Sequence, residues 1–539
     1  MGPPARPAEP RVQLSVRVTP LQSSGPVVEV EVEMNTRSSR WLWADPSTPL
    51  WSILDLRDDA GQIPYAIDSD GGHVLSLERP PKGRVYLRYR LEMPPPEERS
   101  APDPRLWLDP TENVMHATGE SLLWLPEGQT PITCRLEINA PDTPVATGFG
   151  LDRVIEVEVS PDALRRTNVL VGPLGTARFR LPFAEDDAAA LGVTPYDMRW
   201  VAAETAGVRT SIGEYFGAFD EGRFTTLLVS GLRRPNSALH AVDLRTRSLV
   251  VDGSSWAAWG GGARLSVASA LAHRWLGGRV RVDMGGARGE GVWFTQGFSR
   301  HVARDVLFTI GLLTDEDMIA ELDGLESVLA TSPLARSSNA DAVAAGTPDA
   351  VRLVTARGAL YAARLKSQIK KHSGIENSLD GLLASLVRRA REAGPDVALP
   401  TWEQHISEAA GEDEVEAFRG MVLGGAPVEL PPDVFGPCFR PVRGRHVPFE
   451  LGFIDPGFAG QPIVLESVDT DGPAARAGLR AGDTIVDLEY RSGDPSVAVT
   501  MVVEREGRRL ERSYEPHGTP VVGRRWVRDP RIPDEACLP

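Results

Sequence analysis

The chain has 539 residues, a formal net charge of −16 and an ordinary globular composition, with 42% hydrophobic and 24% charged residues. A chain of this length exceeds a single hydrophobic core, so several domains are expected. The acidic balance, without a cluster of Lys and Arg, argues against a nucleic-acid partner. No apolar run is long enough to span a membrane, so no membrane partner is expected either.

The N-terminal residues MGPPARPAEPRVQL contain no apolar signal core. This predicts a cytoplasmic chain as given, or a periplasmic or secreted one if a signal peptide was removed. The three cysteines, Cys134, Cys438 and Cys537, are far apart in the sequence and odd in number. They match neither a disulfide framework nor a CxxC metal pair, so we expect three free thiols, as in a reducing compartment.

From about residue 11 to 180 the sequence alternates apolar and polar residues, which is the period of half-buried strands. The runs are VQLSVRV, VVEVEVEM, RVYLRYRLEM, CRLEINA and RVIEVEV, separated by breaks that contain Pro and Gly. Residues 1–180 are therefore predicted to form an N-terminal β-sandwich-like domain.

Residues 181–427 are dominated by helical periodicity, as in ARLSVASALAHRWLGG and ARGALYAARLKSQIKKHSG. Ser378 precedes the run LDGLLASLVRRAREAG and is expected to be the N-cap of that helix. The small, polar stretch SPLARSSNADAVAAGTPD predicts a loop between residues 332 and 349. This part of the chain is expected to be a mostly helical middle domain.

Residues 428–539 are again predicted to contain strands. The strand-like runs are FELGFI, PIVLESV, GDTIVDLEY and AVTMVVERE, and the short run PAARAGL is predicted to be helical. The order of FELGFI and VLESVDTDGPAARAGLRAGDTIVDL is similar to that of PDZ domains, which predicts a C-terminal PDZ domain. The resemblance implies that Glu450, Leu451, Gly452 and Phe453 form a loop whose backbone N–H groups bind the C-terminus of a peptide or protein. A PDZ fold that serves only as a packing module is the alternative.

Several runs resemble the glycyl aminopeptidase family of PDZ-bearing gluzincin zinc metallopeptidases. WFTQGFSRHVARDVLFTIGLL, from Trp293, is similar to the family's WFxEGF segment and the helix after it. RGALYAARLKSQIKKHSG, from Arg357, resembles its KGAL helix, and HATGESLLWLP, from His116, looks like its β domain. The resemblance covers most of the chain in the same order, and it implies a thermolysin-like middle domain within a multidomain α+β fold.

In this family one helix carries HExxH, in which two histidines four residues apart bind zinc and the glutamate polarises the attacking water. The matching run here is SALAHRWL. It places Ser269 at the first ligand, Ala270 at the general base and His273 at the second ligand. The third ligand, the glutamate of WFxEGF, corresponds to Gln296.

Two further functional positions of the family differ as well. The glutamate that helps to hold the substrate amine matches Leu239, beside His240, and the tyrosines before KGAL match Val354 and Thr355. Catalytic zinc needs three protein ligands, and the loss of a general acid–base group alone costs about 10²–10⁴-fold in rate. We therefore expect no zinc cofactor and no peptidase activity. The resemblance then implies a pseudopeptidase that binds peptides or proteins in the old cleft and the PDZ groove.

Three alternatives stay open. A metal site could be rebuilt from His273, His240 and His301, although His273 is expected to be a core histidine and His301 a surface one. The same cleft, lined by these histidines and Gln296, could carry out a metal-free reaction, which predicts converging polar groups and a histidine of perturbed pKa. The chain could also be a structural subunit whose cleft is filled by side chains.

Overall fold

The computed structural model describes residues 13–21, 27–44, 50–68, 73–92, 106–109, 113–181, 185–192, 194–217, 222–230, 241–253, 258–286, 289–373, 378–454, 462–490, 493–533 and 536–537. The chain divides into two compact units. Unit 1 comprises Met1–Ala203, Glu221–Pro235 and Asp243–Trp256, and unit 2 comprises Glu204–Asp220, Asn236–Val242 and Ala257–Pro539. The finer division into three domains at residues 180 and 427 stays a prediction. No helix within the described ranges is long and apolar enough to cross a membrane.

Unit 1 begins as a set of β-sheets, with the short helices α1 (Gly119–Leu122) and α2 (Pro161–Arg165) between strands. The strands before residue 173 are β1 (Leu14–Leu21), β2 (Val27–Asn35), β3 (Arg40–Trp43), β4 (Leu50–Asp58), β5 (Gly61–Gln62), β6 (Tyr65–Asp68), β7 (His73–Leu77), β8 (Arg84–Glu92), β9 (Leu106–Asp109), β10 (Val114–Thr118), β11 (Leu125–Pro126), β12 (Ile132–Ile138), β13 (Val145–Thr147), β14 (Val154–Val159) and β15 (Asn168–Val171).

These strands form three sheets around one apolar core. Their orders are β14-β12-β1-β2-β8-β4-β5, β13-β15-β10-β9 and β11-β3-β7-β6. Val30, Trp41 and Met115, one from each sheet, are buried in the same cluster, because alternate side chains of a strand point to the same face. The alternating runs predicted from the sequence correspond to β1, β2, β8, β12 and β14, all in the seven-stranded sheet, so the β-rich N-terminal part is confirmed.

A five-stranded mixed sheet follows in the chain. It contains β16 (Leu174–Arg180), β17 (Glu185–Leu191), β18 (Phe224–Ser230), β19 (Ala241–Arg245) and β20 (Ser248–Gly253), in the order β16-β17-β18-β20-β19. β17, β18 and β20 run parallel to one another. β17, β18, β19 and β20 lie in the part of the sequence that was predicted to be helical, whereas β16 lies in the predicted β domain. Residues 224–229 of β18 are all buried, and a strand covered on both faces lacks the alternation by which strands are predicted.

Unit 2 carries the helices around the candidate site. After α3 (Met198–Tyr215), the helices are α4 (Gly261–His273), α5 (Ser299–Thr309), α6 (Asp315–Thr331), α7 (Asn339–Ala344), α8 (Pro348–Ser373), α9 (Leu379–Ala393), α10 (Leu399–Ala410) and α11 (Glu412–Phe418). Two segments, Trp293–Phe298 and Arg419–Leu423, are π-helical. β21 (Arg281–Asp283) pairs with β22 (Asp396–Ala398). The helical middle of the chain is confirmed.

Two local predictions in this part have opposite outcomes. Ser378 is the N-cap of α9, as predicted, because its hydroxyl accepts a 3.0 Å hydrogen bond from the N–H of Gly381. The stretch 332–349, predicted as a loop, contains α7 instead. Arg357 of α8 donates to Asn339 Oδ1 at 2.8 Å and to the carbonyl of Ala335 at 2.9 Å. This buried guanidinium orders a segment whose small, polar composition is typical of loops.

The end of the chain contains the short helix α12 (Pro473–Arg476) and β23 (Phe439–His446), β24 (Ile463–Val464), β25 (Thr484–Glu489), β26 (Val499–Arg505), β27 (Arg508–Tyr514) and β28 (Val521–Arg528). β24 to β27 form a four-stranded sheet with its own apolar core. We call residues 447–520 the C-terminal module. β23 and β28, which flank it, pair with each other as a two-stranded ribbon. The prediction of a strand over FELGFI was wrong, since this segment makes one isolated bridge, from Phe449 to His517.

Cys438 and Cys537 form a disulfide with a Cα–Cα distance of 5.2 Å, so the prediction of three free thiols was wrong. The two cysteines are far apart in the sequence, but the ribbon pairs Phe439 with Arg528. The segment before β23 and the segment after β28 therefore meet, which brings the two cysteines together. Cys134 is a free, buried cysteine. Burial raises the pKa of its thiol to about 12, which keeps the sulfur protonated and unreactive.

Candidate functional site

Helix α4, which carries three of the four positions matched to the zinc site, is fixed at its N-terminal end. Gly261 leaves room for the carboxylate of Asp317, which lies against the first turn. A negative charge at this position suits the helix dipole. One turn later, Arg264 makes two 2.8 Å hydrogen bonds with the carboxylate of Glu204. These contacts set the position of the helix that presents the candidate site.

Ser269, Ala270 and His273 lie in the last turns of α4, and each is half-buried. Ser269 and His273 are four residues apart, so their side chains share one helix face, as the HExxH correspondence requires. The hydroxyl of Ser269 donates to the carbonyl of Leu265 in its own helix at 2.6 Å. That bond uses the single hydroxyl hydrogen, and Ala270 has no polar atom in its side chain.

The imidazole of His273 is oriented by a backbone carbonyl. Its Nδ1 lies 2.9 Å from the oxygen of Thr295. Because a carbonyl can only accept, Nδ1 carries the hydrogen, and Nε2 of the neutral ring presents a lone pair. Gly277, with φ of +145°, lies against the ring, where a Cβ would overlap it. His273 is thus a half-buried, oriented side chain, and the prediction of a core histidine was wrong.

The motifs WFTQGF and RGAL meet at a close helix crossing. A Cβ added to Gly297 would lie 2.7 Å from the Cα of Gly358. A Cβ at Gly358 would overlap the carbonyl of Trp293. Only glycine allows the π-helical segment and α8 to approach this closely, so a side chain at either position would force the two segments apart.

Gln296 lies on the π-helical segment, next to the Thr295 carbonyl that orients His273. Its side chain is exposed, and its Oε1 accepts a 3.2 Å hydrogen bond from Thr355 Oγ1 of α8. The contacts of His273 and Gln296 thus connect α4, the π-helical segment and α8. Ser269 and Gln296 thus make neutral hydrogen bonds, and the methyl side chain of Ala270 makes none.

His301, by contrast, is 1% exposed, so its prediction as a surface residue was wrong. Arg304 Nη2 donates to its Nδ1 at 2.6 Å, so the neutral ring carries its hydrogen on Nε2, 3.5 Å from Asp305 Oδ2. Burial lowers the pKa of His301 to about 3, with Asp305 opposing and the cations Arg304 and Lys366 adding to the effect. This histidine stays neutral at physiological pH.

The four residues His301, Arg304, Asp305 and Lys366 form what we call the charge cluster. Asp305 accepts a 2.9 Å hydrogen bond from Arg304 Nη2 and another of 2.9 Å from Lys366 Nζ. The charge cluster was not predicted from the sequence. Lys366 and Asp305 stand at helical positions among apolar residues, but the same pattern is also common on solvated faces of helices.

The charge cluster bears on the metal-free alternative. A histidine of perturbed pKa is present, as that alternative predicts, but both of its ring nitrogens face other members of the cluster. The nearby hydroxyl of Ser299 donates to the carbonyl of Thr295 at 2.5 Å. Neither His301 nor Ser299 is placed to act on a ligand, so the cluster favours a structural role.

The rebuilt metal site stays a prediction. His240 and Leu239 lie outside the described residues. Within the described ranges, no group of three or more His, Cys, Asp or Glu side chains is placed to hold a metal ion. Arg304 donates to Nδ1 of His301, whereas Nε2 of His273 makes no hydrogen bond to the described residues.

The loop predicted to bind a peptide C-terminus, Glu450 to Phe453, is fixed by its own backbone. The N–H of Glu450 donates to the Pro516 carbonyl at 2.8 Å, and the Gly452 carbonyl accepts from the N–H of Asp469 at 2.8 Å. Gly452 has φ of +81°. The N–H groups of Leu451, Gly452 and Phe453 make no hydrogen bond within the described part of the chain.

Comparisons with known proteins give no family for this chain, since no family model and no curated protein matches it. Solved structures do match. An aminopeptidase N family protein from Idiomarina loihiensis has a TM-score of 0.66 at 17% identity, over 95% of this chain and 98% of that one. A mutant M1 zinc metallopeptidase from Deinococcus radiodurans, bound to a Tyr-Ser-Ala substrate, has a TM-score of 0.51 at 15% identity, over 78% and 95%.

At these identities the similarity shows the fold. The chain has a multidomain α+β architecture similar to that of aminopeptidase-like metallopeptidases, with a β-sheet N-terminal part and a helical middle.

Proposed function

We propose that the chain is a non-catalytic relative of the PDZ-bearing glycyl aminopeptidases that binds peptides or proteins in its former cleft and in a PDZ groove. The observation that carries this proposal is the set of donor atoms at the matched zinc positions. Ser269 is bonded within its own helix, Gln296 is bonded to Thr355, and His273 contributes the one imidazole among these positions.

These residues do not fit a catalytic zinc ion. Such an ion takes three protein ligands, usually imidazole, thiolate or carboxylate. The hydroxyl of Ser269 and the amide of Gln296 are poor donors and carry no negative charge to balance a dication. Ala270 cannot accept a proton from water, which removes the general base as well. No hydrolytic step is therefore assigned to this position.

Metal content and turnover test the proposal. We expect purified wild-type protein to hold far less than one zinc per chain and to cleave neither glycyl nor alanyl substrates. The triple variant Ser269→His, Ala270→Glu, Gln296→Glu should bind about one zinc per chain, since its new imidazole at position 269 and carboxylate at position 296 complete a set of three ligands with His273.

The matched control adds His273→Ala to the triple variant and should lose the zinc. A wild-type protein with one zinc per chain and zinc-dependent cleavage would overturn the proposal. A triple variant that folds without binding zinc would show that Ser269 and Gln296 do not correspond to ligand positions.

We further propose that the C-terminal module is a PDZ domain that binds the C-terminus of a peptide or protein. The unbonded N–H groups of Leu451, Gly452 and Phe453 support this, because a carboxylate needs such donors and an extended peptide can add to a sheet edge. The module also exposes two apolar side chains, Ile454 at 80% and Val464 at 56%.

Fluorescence anisotropy with labelled peptides measures this binding. Peptides with a free C-terminal carboxylate should bind at least about tenfold more tightly than the same peptides amidated, since charge-assisted hydrogen bonds are lost on amidation. Ile454→Glu should weaken binding, whereas Val154→Glu, another exposed apolar position, should not. Equal binding of the free and amidated sets would contradict the proposal.

The compartment we propose is an oxidising one, the periplasm or the cell exterior. The pairing of Cys438 with Cys537 supports it, because structural disulfides persist where thiols are oxidised. Fractionation of the source cells with an antibody to the chain tests this. Recovery of the protein with the cytoplasmic markers would contradict it.

A further inference from the structure

The C-terminal module is joined to the rest of unit 2 at both of its ends. β23 leads into it and β28 leads out, and the two strands pair over their full length. Cys438 directly precedes this ribbon and Cys537 follows it, with a sequence separation of 99. The disulfide therefore closes a loop that contains the whole module, and it lies at the base of the module.

The ribbon is seated on α6 by polar contacts from β28. Arg524 pairs with Glu326 at 2.6 Å, and the backbone N–H of Trp526 donates to Asp323 at 2.8 Å. Arg525 pairs with the same Asp323 carboxylate at 2.5 Å. Partly exposed ion pairs of this kind contribute little individually, so they orient the ribbon more than they hold it.

The apolar contacts of the ribbon belong to the helical part of unit 2. Both cysteines, Phe439 and Trp526 are buried in one cluster with Leu322 of α6 and with residues of α8. The C-terminal module has a separate cluster of its own. The ribbon thus shares the apolar core of the helical part of unit 2, and the disulfide lies inside this core. We call the contacts of the ribbon with α6 and with this core the seat of the module.

We propose that the Cys438–Cys537 disulfide is a latch that fastens both ends of the C-terminal module to the helical part of unit 2, and that reduction loosens this seat. A cross-link that closes a long loop restricts the open chain far more than the folded one. The ribbon can peel away from α6 only if both its strands move together while the latch is closed. Once the latch is open, each strand can leave separately.

The C-terminal module also contacts α8 close to Gln296. Gly493 of the C-terminal module lies against the guanidinium of Arg352 on α8. Thr355, one turn further along α8, donates to Gln296. Loosening the module therefore removes the contact between Gly493 and Arg352, which lies near Gln296. Its effect on ligand binding in the cleft rests on the proposed function.

The redox step is an ordinary thiol–disulfide exchange. Closing the latch removes one hydrogen from each thiol and joins the two sulfurs. The two electrons and two protons pass to the disulfide of an oxidoreductase or of a small thiol compound, which becomes a pair of thiols. The two cysteines are 0% and 5% exposed, so a reductant reaches the closed latch only after the residues packed around the disulfide have moved apart.

Thiol counting on the full chain is the first test. Protein produced in an oxidising compartment is unfolded without reductant, alkylated and weighed by mass spectrometry. One adduct is expected, on Cys134, and three adducts after reduction. Three adducts before reduction would overturn the proposal.

The second test measures the loosening of the seat. Reductant should lower the thermal midpoint of the wild-type protein by about 5 °C and speed limited proteolysis in the segments next to the ribbon. The double variant Cys438→Ala, Cys537→Ala should show the lowered midpoint without reductant and no further response to it. The matched variant Cys134→Ala should keep the full response.

If the double variant does not fold, the wild type with and without reductant decides the question alone. A midpoint and a cleavage rate that stay unchanged after complete reduction would refute the latch. These outcomes do not depend on zinc or peptide binding, so a failure of the latch is distinguishable from a failure of the proposed function.

Discussion

Two regions of unit 2 differ in whether they contain charged side chains. At the matched zinc positions, Ser269, Ala270 and Gln296 are neutral, and the two polar side chains are bonded to a helix carbonyl and to a threonine hydroxyl. The charge cluster keeps an aspartate between two cations in a buried site. One region is neutral and makes local hydrogen bonds, and the other depends on charge.

Neither region needs a metal ion to balance its charge. Under the proposed correspondence, carboxylates at positions 270 and 296 would repel one another and stay partly desolvated without a dication, which is costly. The methyl of Ala270 and the amide of Gln296 avoid that cost, and the hydroxyl of Ser269 stands where the correspondence has an imidazole. The charge cluster needs no ion, since Asp305 is balanced by Arg304 and Lys366, and it can therefore be kept as packing.

The largest expected effect is the loss of the anion at the centre of the charge cluster. Asp305→Asn leaves the fully buried Arg304 without a counter-charge and removes the partner of the partly exposed Lys366. Breaking a buried pair in this way costs about 3–5 kcal/mol. Urea unfolding followed by circular dichroism measures the change in the free energy of unfolding.

The matched control is Asp349→Asn, the same substitution at an exposed pair with Arg352. It should change the free energy of unfolding by about 0–1 kcal/mol. If the two substitutions change the free energy of unfolding equally, the charge cluster stabilises the chain no more than an exposed ion pair does.

The pH dependence of stability is the next effect in size. Because the pKa of His301 is lowered from 6.5 to about 3 in the folded chain, the unfolded chain binds more protons between these values. The stability from this residue is fully present above pH 6.5 and is lost as the pH falls through the window. From pH 7.0 to 5.0 the loss should be about 2 kcal/mol.

His301→Asn tests the assignment, since its amide oxygen can still accept from Arg304 but does not titrate. The variant should lose less than half as much stability as the wild type over the same interval, measured by urea unfolding at both pH values. An unchanged pH dependence would place the titrating group elsewhere.

The sequence predicted those parts of the fold whose signals are local. Alternation marked β1, β2, β8, β12 and β14, and a serine before a helical run marked the start of α9. The fully buried strands of the five-stranded sheet carried no period and were missed. The Cys438–Cys537 pair was missed because it depends on the pairing of two strands distant in sequence.

The candidate site was predicted by residue correspondence but not by environment. Gly297 of WFTQGF and Gly358 of RGAL proved to be the contact between the π-helical segment and α8. His301 was predicted at the surface and is buried, and His273 was predicted in the core and is half-buried. The partners that hold the two rings, the carbonyl of Thr295 and the carboxylate of Asp305, cannot be recognised from the sequence around each histidine.

The smallest expected effect separates a ligand-binding role of Ser269 from a purely helical one. Its hydroxyl is bonded to the carbonyl of Leu265, a local bond that competes only weakly with the helix. Alanine forms helices better than serine, so Ser269→Ala should leave the free energy of unfolding within about 0.5 kcal/mol. Peptide affinity, measured by the same anisotropy assay, should also stay unchanged. A tenfold loss of affinity with unchanged stability would mean that the hydroxyl turns toward a ligand when one is bound, and the neutral region would then be a remade binding site.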